Sequence, residues 1–200
     1  MIGKYKAILI FGPPGVGKGT QAKLIAQNNP SKYFHFSTGD MFRSLKNDPV
    51  MAESELAKKI NETISGGNLV SDDLTVELLF KTLEEYSNSK KFNRKEQILI
   101  LDGIPRNPAQ ADLISSKIEV LKIISLVIKD DKVLIERLKS RAINENRKDD
   151  SDVNIIKKRL DIYKKETLAV LAKYPPSLIL KIDGLPSIEE ISKEISKKLR

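Results

Sequence analysis

The segment "AILIFGPPGVGKGT", Ala7 to Thr20, sets an unbroken apolar run against a stretch with glycine at Gly12, Gly15, Gly17 and Gly19. Consecutive apolar residues without alternation suit a strand covered on both faces. The glycines let the backbone turn tightly and gather its N–H groups, and helical periodicity resumes over Gly17–Asn28. Strand, glycine turn and helix in succession bring together backbone donors, the positive end of a helix dipole and the Lys18 ammonium, an arrangement made for an anion. The segment nearly follows G-x-x-x-x-G-K-[ST], where the lysine reaches the outer phosphates of a nucleotide and the hydroxyl holds magnesium. Gly12, Gly17 and Lys18 fit, but Gly19 stands where a hydroxyl is wanted and Thr20 comes one residue late. A glycine-rich turn with an incidental lysine is the alternative, and the flanking strand and helix weigh against it.

Four further runs read as buried strands: "YFHFS", "QILILD", "IISLVI" and "LILKID". Between them helical patterns cover Val50–Ile64, Asp72–Tyr86, Asn107–Ile118, Lys132–Ile143, Val153–Tyr174 and Ser187–Leu199. Strands alternating with helices imply right-handed crossovers and a parallel sheet in a single α/β domain. "YPPS" stops the long helix, because proline cannot continue it. About sixty residues separate the second strand from the third, twice the roughly 30 of a simple crossover unit. The excess predicts an inserted helical subdomain over residues 37–70. The polar stretch "SRAINENRKDD" lacks apolar periodicity and reads as a mobile flap.

The 200 residues carry a net charge of +8 with no cysteine, so there is no disulfide framework and no thiol nucleophile, and a cytoplasmic protein is expected. Lysines dominate the excess but are scattered among Asp and Glu without interleaved aromatics, which argues against a nucleic-acid partner. No apolar run approaches the roughly 20 residues of a membrane helix. The N-terminal lysines and "AILIF" imitate a signal peptide only faintly, because the run is of strand length and enters a functional loop.

Two more segments end a strand in a polar, glycine-containing turn followed by an arginine: "HFSTGDMFR", with Arg43, and "LILDGIPRNPAQAD", with Arg106. Ligands of open parallel sheets bind beyond the strand C-termini, so both arginines belong on the rim of Lys18. Asp102 ends an apolar strand, where a carboxylate needs a cation or donor; magnesium or its water shell would serve. Arg137 and Arg141 are four apart on a helix and repel unless an anion lies between them. Arg147 follows in the flap and Arg159 on the next helix, with Asp149 and Asp150 able to orient the guanidiniums. Alternatively, those arginines are solvated and the acidic pair caps the following helix. His35, the only histidine, has apolar neighbours Phe34 and Phe36 and reads as packed within its strand.

Taken in order, "GPPGVGKGTQA", "HFSTGDMFR", "LVSDDL", "LDGIPRNPAQA" and "RKDD…KKRL…Y" resemble the adenylate kinases over essentially the whole chain. In that family the displaced threonine is the normal form of the loop. The resemblance implies a phosphate-loop NTPase-like α/β fold with a five-stranded parallel sheet in the order 2-3-1-4-5. It also implies a helical monophosphate-binding insertion over 37–70 and a short lid over 138–150. The implied activity is Mg2+-dependent, reversible transfer of a phosphoryl group from ATP to AMP, giving two ADP, by a cytoplasmic monomer. Gly12, Gly15, Val16, Gly17, Lys18, Gly19, Thr20, Arg137 and Arg141 would bind ATP. Thr38, Arg43, Val70, Gly103, Arg106, Gln110, Arg147 and Arg159 would bind AMP. Lys18, Arg43, Arg106, Arg141, Arg147 and Arg159 would be catalytic, Asp102 would organise magnesium, and Asp149 and Asp150 would steer lid closure.

Only Ala142–Asn146 separate Arg141 from Arg147, which resembles the short-lid members and leaves no room for structural zinc. One extra residue lies between Asp150 and Arg159 relative to the family pattern, so the phase of Arg159 is open. Ile104 stands in place of a common phenylalanine and Thr75 in place of an apolar residue near adenine, and both bear on base selectivity. Asn107 is a feature of UMP/CMP kinases, the main alternative, whereas Gln110 matches the adenine-reading form; a glutamine amide can donate and accept. A non-catalytic nucleotide-binding or nucleic-acid-binding protein on the same fold is the alternative of a different class.

Overall fold

A computed structural model describes residues 3–47, 54–145 and 147–199. Its centre is a parallel sheet of β1 (Tyr5–Phe11), β2 (Tyr33–Ser37), β3 (Ile98–Asp102), β4 (Ile118–Val127) and β5 (Ile179–Asp183) in the order β2-β3-β1-β4-β5. This is the order the resemblance implies. Successive residues of β1 go to opposite faces: Ala7, Leu9 and Phe11 join one apolar core, Ile8 and Ile10 the other. Burial on both sides is why these strands read as continuous apolar runs. Parallel pairing also gathers the strand C-termini on one edge, with Asp102 in register with Ile10 on one side and Ser37 on the other.

The helices are α1 (Lys18–Asn28), α2 (Thr38–Asn47), α3 (Glu55–Ser65), α4 (Asp72–Asn88), α5 (Pro108–Ser115), α6 (Asp131–Asn144), α7 (Val153–Ile162), α8 (Leu168–Leu171) and α9 (Ile188–Lys198). The expected helix over Val50–Ile64 begins among residues 48–53, outside the described residues, and its remainder is α3.

Four differences from the sequence reading have identifiable causes. The helix expected to reach Ile118 ends at Ser115, and Ile118 opens a strand longer than "IISLVI". Its first half carries the charged Glu119 and Lys122, which hid it, yet it pairs with β1 from Tyr5 onward with a register shift after Ala7. The long helix after Val153 is broken by a π-helical turn at Tyr163–Thr167, a widening that apolar periodicity does not register. The expected polar turn after β2 is instead helix α2, with the Ser37 hydroxyl accepting from the Asp40 N–H at its start. The flap segment is largely ordered into helix: α6 runs to Asn144, and Lys148–Asp150 form a 3-10 turn.

The segment between β2 and β3 reaches the other side of the cleft edge. Lys158 on α7 donates to the Gly66 carbonyl at 3.1 Å. A side chain at Gly67 would meet Ile155 at 2.9 Å and the Arg159 stem at 3.3 Å.

Candidate active site

Above the C-terminal edge of the sheet lies a cleft of about 1000 Å³. Its floor is the turn between β1 and α1. Gly15 has a φ of +84°, and a Cβ there would meet the Leu134 carbonyl at 2.8 Å, so only glycine fits between this turn and α6. Gly17 is the N-cap of α1 and has no side chain with which to satisfy the first N–H groups of the helix, which leaves donors for an anion. Val16 is buried in the core beneath the turn, while Gly12, Gly19 and Thr20 line the cleft. Lys18 folds back, its Nζ donating to the Gly12 carbonyl at 2.8 Å and the Pro13 carbonyl at 3.1 Å. Burial lowers the Lys18 pKa to about 8; Asp102 opposes this, and Arg106, Arg159 and Arg141 add to it. A phosphate beside it would favour the charged form and raise its pKa.

The ends of β2 and β3 form one wall. Thr38, 1% exposed, donates to the Gly103 carbonyl at 3.0 Å. Asp102 faces the loop, its Oδ2 lying 3.3 Å from the Cβ position at Gly19. Burial pushes the Asp102 carboxyl up, but the His35 imidazole and the Lys18 and Arg106 charges outweigh this and hold it below the usual range. His35 Nε2 lies 3.9 Å from Asp102 Oδ2, too long for a hydrogen bond. Instead of being merely packed, this histidine lines the cleft with a buried, unbonded Nε2. Strand alternation could have revealed it, because residue 35 must face away from Phe34 and Phe36.

The arginines converge from separate elements. Arg43, on α2, pairs with Asp40, and Gly39 leaves room for its guanidinium. Arg106 donates Nε to the Gly103 carbonyl at 3.0 Å. Its peptide is fixed from both sides: its N–H donates to Gln110 Oε1 at 2.7 Å, and its carbonyl accepts from the Thr167 hydroxyl at 2.7 Å. The π-helical turn that carries Thr167 thus helps set Arg106. Arg137 donates Nη1 to the Gly184 carbonyl at 2.9 Å, which holds it beside the loop after β5.

Asp152, not the Asp149–Asp150 pair, caps α7 by accepting from the Asn154 N–H at 2.7 Å. Both acids are therefore available to guanidiniums. Asp150 is fully buried between Arg141, whose Nε donates at 2.7 Å, and Arg159; Asp149 holds Arg159 at 2.8 Å. Arg159 faces the cleft, which answers the question of its phase. Arg141 Nη2 lies 2.6 Å from Asp150 Oδ2 but out of line, and is buried without a hydrogen-bond acceptor. Arg147 pairs with Glu145 at 2.6 Å at the same rim.

Near Arg106, Val70, Ile104 and Thr75 are buried and line the cleft. The Thr75 hydroxyl donates to the Ser71 carbonyl at 2.8 Å, which spends its only donor and leaves it acceptor capacity alone. Asn107 caps α5, accepting from the Gln110 N–H at 2.8 Å, and donates to Asp72 at 2.8 Å. Sequence reasoning passed over Asp72, because two acids at a helix start read as a dipole preference and nothing shows which of them turns inward.

Two lysines, Lys18 and Lys23, and six arginines on a single cleft behind a glycine turn make an arrangement suited to a polyphosphate and a second anion. The adenylate kinase family model matches residues 10–177. The chain belongs to the adenylate kinase family. It is 36% identical over 197 residues to the adenylate kinase of Prochlorococcus marinus, covering 96% of this chain and 97% of that one. The adenylate kinase of Maricaulis maris is 35% identical over 199 residues, with 96% and 97% covered. That of Pseudarthrobacter chlorophenolicus is 33% identical over 198 residues, with 96% of each covered. With this fold and family the chain is a nucleoside monophosphate kinase of the adenylate kinase type. Among the described residues, no helix is long and apolar enough to cross a membrane.

Proposed function

We propose that the cleft binds ATP along the β1–α1 turn and AMP between α2 and the β3–α5 turn, and transfers a phosphoryl group directly between them. The supporting observation is that Lys18, Arg43, Arg106, Arg141, Arg147 and Arg159 all line one cleft from separate elements. A monophosphate at neutral pH already offers an ionised oxygen, so no side chain needs to remove a proton. The work left is to hold two phosphates in line and surround the transferring group with positive charge. Lys18 would leave its carbonyl partners for the outer phosphates of ATP, and Gly17–Thr20 would supply backbone donors. Arg43 and Arg106 would hold the AMP phosphate, with Thr38, Val70, Gly103 and Gln110 around the nucleoside. Arg141, Arg147 and Arg159 would meet the transferring group, and Arg137 would flank the ATP base.

Magnesium fits this set. Asp102 supplies a carboxylate at the phosphate end, and Mg2+ commonly takes one or two carboxylates with substrate phosphates while keeping several waters. Bound with ATP, Mg2+ neutralises charge on the phosphate oxygens. In this reading the chain works as a cytoplasmic monomer with nucleotides as its only partners, residues 37–70 are the monophosphate-binding insertion and 138–150 the lid. Asp149 and Asp150 would release their arginines to phosphate as that lid closes.

The side chain of Asn107, the residue that suggests a pyrimidine kinase, is engaged within the protein, which favours AMP over CMP or UMP as acceptor. Phosphoryl transfer from MgATP to AMP, CMP, UMP and GMP, each assayed alone, tests the reading. A strong preference for AMP is expected. Equal or faster transfer to CMP or UMP would move the protein to the pyrimidine kinases, and ATP binding without transfer to any acceptor would refute the enzyme reading.

A further inference from the structure

Gln110, 2% exposed, lines the cleft with both ends of its amide held. Its Oε1 accepts from the Arg106 N–H at 2.7 Å, and its Nε2 donates to Asp72 Oδ1 at 2.8 Å. A backbone N–H can only donate and a carboxylate can only accept, so the amide has one orientation here and its flipped form would oppose like to like at both ends. Asp72 is anchored in turn, since the same Oδ1 accepts from Asn107 Nδ2 at 2.8 Å while Asn107 Oδ1 caps α5. What remains on Gln110 is one N–H and one oxygen lone pair in fixed places.

This has a consequence for base choice. Adenine and cytosine present an amino donor beside a ring-nitrogen acceptor, whereas guanine and uracil present a carbonyl acceptor beside a ring N–H donor. A free glutamine reads either pattern, because turning the amide over exchanges N and O at almost unchanged shape. Discrimination by glutamine therefore requires the turn to be blocked. We infer that Asp72 is a specificity-positioning residue: it locks the Gln110 amide so that the acceptor site takes amino-type bases and refuses oxo-type ones. The inference rests on the reading that Gln110 meets the acceptor base.

The test is the ratio of kcat/KM for AMP to that for GMP, with ATP saturating, in wild type, D72A, D72N and Q110L. D72A is expected to lower the ratio about tenfold, the scale of one hydrogen bond, through a higher KM for AMP and a lower KM for GMP, with the KM for ATP unchanged. D72N, which can still accept from Gln110, is expected to restore most of the ratio. If D72A slows AMP and GMP equally, Asp72 has only a structural role and the inference fails. If Q110L collapses the ratio and D72A does not, Gln110 reads the base without this lock. If Q110L leaves the ratio unchanged, the underlying reading of Gln110 falls. Should D72A not fold, the side-chain amide signals of Gln110 in wild-type protein, assigned by their loss in Q110L, decide the point. Protection from exchange supports the lock, and free-glutamine behaviour overturns it.

Discussion

Arg141 and Asp150 meet with the acid fully buried and the arginine side chain 28% exposed, and a second guanidinium, that of Arg159, stands on the other carboxylate oxygen. The buried carboxylate thus offsets the repulsion between two cations that share it. Asp150→Ala is expected to destabilise the fold by on the order of 3 kcal/mol, because it leaves the partly buried Arg141 without its carboxylate and Arg159 with Asp149 alone. Urea midpoints of the two proteins measure this. Saturating ATP should recover more of the loss in the variant than it adds to wild type, since phosphate would replace the missing charge. An equal gain in both would remove the claim that these arginines await an anion.

Lys18 gives a pH dependence of definite sign. Burial holds its pKa to about 8 in the unliganded cleft. A bound polyphosphate favours the charged form, so ATP binding takes up a proton above about pH 8, and affinity falls with rising pH by up to about tenfold per unit. Stability of the unliganded chain moves the other way: between about pH 8 and the usual lysine range the unfolded chain holds a proton that the folded chain lacks, so this site favours folding more as pH rises. Titration calorimetry in buffers of different ionisation enthalpy reads the proton uptake directly. Lys18→Met should abolish it; uptake that persists in the variant would place the proton elsewhere.

Much of this site is legible in the sequence because it is built from local rules. A strand that ends in a glycine turn must place Lys18 at the sheet edge, and the same logic brings Arg43 and Arg106 beside it from β2 and β3. What the sequence conceals is pairwise and long-range. Asp72 reaches Gln110 across 38 positions and Thr167 reaches the Arg106 carbonyl across 61, and no periodicity encodes such meetings. Partner choice among neighbouring acids is equally hidden. Asp152 takes the cap and frees Asp149 and Asp150, a division decided by where α7 begins. The early part of β4 escaped because its charged residues resemble a helix surface, and only pairing with β1 makes them a strand.

Gly103 joins backbone strain to the packing of the cleft wall. It has a φ of +85°, and a Cβ there would stand 2.5 Å from the Thr38 hydroxyl. Gly103→Ala is expected to cost about 1–3 kcal/mol from backbone strain and to displace Thr38 from the β3 end. The KM for AMP should therefore rise more than that for ATP, because Lys18 and its turn are untouched. Steady-state kinetics with each substrate varied in turn separate the two, and parallel increases would mean that the wall does not act locally.

Arg43 allows catalysis to be tested apart from folding. Its partner Asp40 and its own side chain are each about half exposed, at 53% and 43%, and such surface pairs contribute between zero and about 1 kcal/mol. Arg43→Ala should therefore leave the melting temperature nearly unchanged while lowering kcat/KM for AMP by about 100-fold or more, the scale of removing one preorganised donor from developing charge. Arg43→Lys keeps the charge but loses the planar fork that can hold two phosphate oxygens at once, so it should recover only part of the activity. Near-complete recovery with lysine would mean that Arg43 acts as a point charge attracting AMP to the cleft, in which case its effect should fade as salt rises past a Debye length of about 8 Å. A loss that is independent of salt, with lysine intermediate, fits direct two-point contact with the monophosphate.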